Sequence, residues 1–200
     1  HTNGIPQNSS MQANVIYTSQ TDVIEQQVKA ARQLADFVVV GVHWGVENSH
    51  AIADPQRTLA QNLADWGADL IIGTHPHVLQ NAQWLTAADG RQVFTAYSLG
   101  NFISTQEKPD QLVGAILSVQ LEKTTGPDGT VRCSVLSPRL LPTVTHYDAG
   151  KSNVRTYLFR DYTEALTKAH GVRQAYPDFS LEMIQSIARE NIDPEFLQLT

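Results

Sequence analysis

The chain has 200 residues, a hydrophobic share of 42%, a charged share of 17% and a formal net charge of −6. That length suffices for one domain with a full core, and the composition is that of a globular rather than a disordered protein. The acidic balance gives no electrostatic reason to expect nucleic acid, and Cys133, the single cysteine, excludes both an internal disulfide and a zinc site built on paired thiolates.

Residues up to about Asn14 read as loop, because Gly, Pro, Asn and Ser dominate. The opening "HTNGIPQNSS" has no initiator Met, and either trimming or a start partway through a longer gene product is expected. No signal peptide is evident. "ANVIYTS" is a short strand candidate. "TDVIEQQVKAARQLA" places Val23, Ile24, Val28, Ala31, Leu34 and Ala35 at helical spacing, with Thr21 or Asp22 as cap. "DFVVVGVHWG" is a continuous apolar, β-branched run and reads as a buried strand. "DPQRTLAQNLADWG" reads as a second helix, capped by Asp54, with Pro55 in its first turn and Gly67 as its stop. "ADLIIG" is a second buried strand. Neither apolar run is long enough to cross a bilayer. Helix, strand, helix, strand at this spacing predicts an α/β layer with parallel strands.

The pattern then turns antiparallel. "AQWLTAADGRQVFTAYSLG" predicts two strands joined at Asp89-Gly90. "QLVGAILSVQLEKTTGPDGTVRCSVLSPRLLPTVT" predicts a long hairpin turning at "GPDG". From Lys151 on, "NVRTYLFRDYTEALTKAHG" and "SLEMIQSIAREN" read mostly as helix, and a soft boundary falls near residue 148.

Ligands in open α/β sheets collect at the carboxyl ends of parallel strands. The first strand ends at His43, and the second ends just before His75 and His77 in "GTHPH". Adjacent strands would bring these imidazoles to one edge. Pro76 restricts His75 to extended backbone, where side chains two apart share a side, and Gly73 allows a sharp turn beforehand. Imidazole suits divalent ions such as Zn, Fe or Mn. Glu47 and His50 lie in the loop after His43. Asp54 is explained as a helix cap, and Asp69 stands at the wrong end of its strand. Three imidazoles and Glu47 suffice for one ion, not obviously two. His146 and His170 read as surface residues. "YSLGNFI" puts Gly100 and Asn101 at a strand end, either as a plain turn or as an amide facing the site.

"VVVGVHWGVENSH", "ADLIIGTHPHVLQ", "YSLGNFI" and the opening "TNGIP" together resemble the CapA-type poly-γ-glutamate capsule biosynthesis family, over roughly residues 1 to 120. That family is similar to the calcineurin-like metallophosphoesterases. The resemblance implies part of a two-sheet sandwich flanked by helices; the mostly helical tail, residues 149–200, lies outside the resemblance and is expected to pack on that domain. The resemblance also implies a two-metal site at strand ends, loaded with Mn, Fe or Zn. His43 matches the histidine of an "HWG" motif, and His75 and His77 match a "G-H-x-H"-like pair, with Thr74 intervening before them. Glu47 and Asn101 match further motif positions.

The "GD", "NLE"-like and "NNH"-like motifs of the family's first half are not in this sequence. Residues 1–148 are therefore expected to be the C-terminal part of such a domain, completed by an N-terminal half. The implied function is synthesis or export of an anionic capsule polymer. A metal-dependent phosphoesterase with another substrate and a non-catalytic binding module are the alternatives. Other capsule-synthesis proteins and an anionic polymer or phosphoester are the implied partners. The implied location is outside the cytoplasmic membrane, tethered by an upstream segment.

Overall fold

A computed structural model describes residues 15–200. Its elements in chain order are α1 (Thr21–Leu34), β1 (Val39–His43), α2 (Asp54–Trp66), β2 (Leu70–Thr74), β3 (Leu79–Thr86) and β4 (Gln92–Leu99). There follow β5 (Val113–Thr125), β6 (Val131–Asp148), β7 (Ser152–Leu158), α3 (Glu164–Ala169) and α4 (Leu181–Asn191). The described residues thus form a mixed α/β structure with two sheets and four helices.

The first sheet has the order β1-β2-β4-β3. β1 and β4 both run parallel to β2, while β3 runs antiparallel to β4. Alternation along its strands sorts side chains to two faces. Ile71, Val93 and Tyr97 join Val28 of α1 and Leu59, Leu63 and Ala64 of α2 on one side. Leu70, Phe94 and Ala96 join residues of the second sheet and of α4, including Val113, Leu140, Val144 and Ile184, on the other. Each such fully buried aliphatic or aromatic side chain contributes about 2 kcal/mol through removal from water. The second sheet is antiparallel, β5-β6-β7.

The helix pair, the parallel strands, the Asp89-Gly90 hairpin and the long β5–β6 hairpin fall where the sequence predicts them. Other expectations fail. The part of "ANVIYTS" within the described residues is coil and turn, and Ala13 and Asn14 lie outside them. α1 begins at Thr21 with Gln20 in the cap position, and Ala53 holds that position for α2. Gln56 makes up for the missing cap by accepting from the Ala53 N–H at 3.0 Å.

β1 is not fully buried. Among the described residues it pairs on one side only, and Val39 is 52% exposed. The stretch "SNVRTYL" is β7 rather than helix, because pairing with β6 overrides its local pattern. His146 and His170 are not on the surface, being 1% and 2% exposed. His146 Nδ1 lies 2.7 Å from the Tyr162 hydroxyl, and His170 Nε2 lies 2.9 Å from the Thr145 carbonyl. No helix of the described residues is long and apolar enough to cross a membrane.

Candidate metal centre

Because β1, β2 and β4 are parallel, their carboxyl ends share one edge. His43 closes β1 and stands in register with Thr74, the last residue of β2. His75, Pro76 and His77 follow at once, and Gly100-Asn101 follows β4.

Gly73 serves close approach rather than turning. It lies within β2, and a Cβ there would come within 2.0 Å of the Tyr97 carbonyl oxygen and 2.3 Å of Trp44 Nε1. Buried Trp44 uses that space, donating its indole N–H to Tyr97 O at 2.9 Å. The backbone after β2 also departs from expectation. His75 has φ of 102° and His77 has φ of 63°, so neither is extended. Non-glycine residues in this region cost about 1–2 kcal/mol each and persist only where surroundings impose them. Here the Asn48 N–H donates to Pro76 O at 2.7 Å, and the Trp44 N–H donates to Thr74 O at 3.1 Å. The loop after β1 thereby clamps the histidine segment.

The result is a cluster. One ligand atom from each of Glu47, His75 and His77 lies within 4.8 Å of the others. His43 sits beside them, its ring centroid 4.5 Å from that of His75, and the rings of His75 and His77 are 6.2 Å apart. His43 Nδ1 is 3.3 Å from Thr74 Oγ1. Burial holds the pKa of His43 down, with His75 adding to the effect. Burial also lowers that of His75, against the opposing pull of the Glu47 carboxylate. Both effects favour neutral imidazole, the form that binds a cation.

Asn101 faces the cluster, so "GN" is more than a turn. Its Nδ2 lies among three carbonyl-type acceptors: His77 O at 3.2 Å, Gln106 Oε1 at 2.6 Å and Gln111 O at 3.0 Å. That environment fixes the amide with Oδ1 towards His77 Nδ1, 3.0 Å away. An amide oxygen only accepts, so in the neutral ring the proton sits on Nδ1 and the lone pair on Nε2. This is how a neighbouring group selects the ligating nitrogen of a histidine.

The other acidic and histidine candidates do not join the cluster. His50 Nδ1 is bonded to Leu79 O at 2.7 Å, and its Nε2 is 3.7 Å from the Asp110 carboxylate. Asp54 opens α2. Asp69 is buried before β2, where Arg32 and Arg91 pair with it. Sequence reasoning missed the supporting amides. Gln80 donates to Ser49 O and Ala51 O, each at 2.9 Å, and accepts from Gln56 at 2.8 Å. Gln111 donates to Asn48 Oδ1 at 2.5 Å. Isolated glutamines carry no periodicity or motif signal by which they could have been found.

The bacterial capsule synthesis protein family PGA_cap matches residues 2–106. The chain belongs to this family. The "PGA biosynthesis protein CapA" of Bacillus subtilis (strain 168) is 39% identical over 108 residues, 54% of this chain and 26% of that protein. The "Capsule biosynthesis protein CapA" of Bacillus anthracis is 40% identical over 89 residues, 42% of this chain and 20% of that protein. The chain therefore matches only about a quarter or less of the length of these relatives. The PGA_cap stretch contains His43, Glu47, His75, His77 and Asn101, and stops short of the second sheet.

Proposed function

We propose that this PGA_cap member acts in the synthesis or export of an anionic capsule polymer of the poly-γ-glutamate type, through a metal-dependent, hydrolase-like site. The observation that carries the reading is the convergence of Glu47, His75 and His77 at the carboxyl ends of parallel strands. The donor set fits a divalent ion of borderline character such as Mn, Fe or Zn: two imidazoles, one with its tautomer set by Asn101, and one carboxylate. When bound, such an ion polarises a phosphoryl or acyl oxygen and makes hydroxide available at neutral pH.

The residues divide the remaining work. Glu47, His75 and His77 hold the ion. Asn101, accepting from Nδ1–H, leaves Nε2 as the lone-pair nitrogen of the neutral His77 ring. His43, against His75 but outside the group of three, is placed either as a further ligand or to move a proton at the substrate. The two packed sheets with flanking helices are read as part of a metallophosphoesterase-like sandwich, whose remaining ligands come from a segment outside these 200 residues. A location outside the cytoplasmic membrane belongs to the same proposal and is supported by family membership.

Elemental analysis of the chain, alone and within its full-length gene product, tests the site beside a His75→Ala/His77→Ala version. One or two Mn, Fe or Zn per protein, lost in the double variant while the fold is retained, is expected. Full metal content in that variant overturns the ligand assignment. Hydrolysis of p-nitrophenyl phosphate dependent on added Mn²⁺ or Zn²⁺ then separates a hydrolase from a binding role.

A further inference from the structure

The 3₁₀ turn Pro109–Leu112 leads into β5 and lies beyond the PGA_cap match, yet it bonds to residues that flank the cluster on two sides. Gln111 is its centre. It is 6% exposed, and its polar groups are engaged. Its Oε1 accepts from the Lys108 N–H at 3.2 Å, and its Nε2 donates to Asn48 Oδ1 at 2.5 Å. Its main-chain oxygen accepts from Asn101 Nδ2 at 3.0 Å. One residue away, the Asp110 carboxylate lies 3.7 Å from His50 Nε2. Leu112 anchors the turn in the core and is fully buried.

Those partners belong to two different segments. Asn48 follows Glu47, holds φ of 59°, and donates its N–H to Pro76 O between His75 and His77. Asn101 sets the tautomer of His77. Placing a buried carboxamide against a second amide is expensive unless every donor and acceptor is met, and here the bonds run outwards to the groups that support the donors.

We infer that Gln111 is a positioning residue. Its side chain holds Asn48 so that the loop after β1 presents Glu47 to His75 and His77. The inference rests on the metal-site reading for its consequence, but its geometry holds in the metal-free protein. Gln111 acts through Asn48, and its backbone through Asn101.

The test has two arms. In the metal-free chain, hydrogen exchange at the Asn48 amide is compared between wild type and Gln111→Leu, which keeps volume and loses the Asn48 bond. The expected result is exchange at least tenfold faster at Asn48, with protection in β2 and β4 unchanged. Asn48→Asp, whose carboxylate still accepts from Gln111 and tolerates positive φ, keeps protection near wild type. Titration with Mn²⁺ or Zn²⁺ forms the second arm: Gln111→Leu weakens binding about 10- to 100-fold at unchanged stoichiometry, the usual effect of removing a support behind a ligand. Unchanged Asn48 protection in Gln111→Leu overturns the inference whether or not metal binds. Lost protection with undiminished metal affinity overturns it too. If the wild type takes up neither ion, even within its full-length gene product, the metal reading falls, and the exchange arm alone decides whether Gln111 holds the loop. Should Gln111→Leu fail to fold, Gln111→Met, which keeps the length of the side chain and removes the donor, is read in its place.

Discussion

Replacing His170 by Asn should flatten the acid side of the stability profile. His170 is buried against His146, with ring centroids 4.8 Å apart, and against Tyr147 at 4.5 Å and Phe179 at 5.0 Å. Its two nitrogens have opposite duties. Nδ1 accepts from the Val172 N–H at 3.0 Å, and Nε2 faces the Thr145 carbonyl at 2.9 Å, so the neutral Nε2–H tautomer satisfies both. A second proton on Nδ1 would set donor against donor.

Burial accordingly lowers the pKa of His170 from 6.5 to about 4, with the Thr145 bond opposing and His146 reinforcing the shift. The unfolded chain takes up this proton below its ordinary pKa and the folded chain does not. The contribution is therefore intact above 6.5, falls as pH drops, and levels off near 4. Linkage over those two values gives a loss of about 2 kcal/mol between about pH 7 and pH 5, out of a total stability of about 5–15 kcal/mol. Urea unfolding at the two pH values measures it. His170→Asn retains an acceptor for Val172 and pays a fixed packing cost, but should lose about 2 kcal/mol less than wild type over the same interval. Equal losses in the two proteins would refute the reasoning and move the acid sensitivity elsewhere.

Gly73→Ala should destabilise by about 3 kcal/mol in urea unfolding, since the added methyl meets Tyr97 O and the Trp44 indole inside the first sheet. Asp69→Ala should cost about 3 kcal/mol in the same assay, because it strips a buried carboxylate from Arg32 and Arg91 and leaves the Val38 N–H, now bonded to it at 2.7 Å, without its acceptor. Asn101→Leu should weaken Mn²⁺ or Zn²⁺ binding about 10- to 100-fold in calorimetric titration. In the metal-free protein the ¹⁵N shifts of His77 should change from a single Nδ1–H form to a tautomer mixture, and a retained single form would contradict the role given to Asn101.

β2 was readable because it is covered on both faces, so its apolar run and its burial coincide. β1 carries the same kind of run yet lies at an edge of the described sheet, and apolar content alone does not distinguish the two situations. The convergence of His75 and His77 was legible for the wrong reason. Strand order places them, but an alternating extended chain does not orient them, since both sit at positive φ under tethers from Asn48 and Trp44. β7 was missed because Arg155, Thr156 and Tyr157 gain their meaning from pairing with β6. His146 and His170 look like any isolated histidines in sequence. Their burial comes from the second sheet and the tail packing together, which no local window contains.

The left-handed backbone at His75 and His77 sets stability against the proposed ligand role. Glycine adopts φ of 102° or 63° without the penalty an imidazole-bearing residue incurs there. A selection for thermal tolerance alone would therefore drive both positions towards glycine and return about 1–2 kcal/mol at each. Every such gain would delete one of the proposed ligands. If the proposed ligand role holds, engineered consolidation of this scaffold has to leave these two residues untouched.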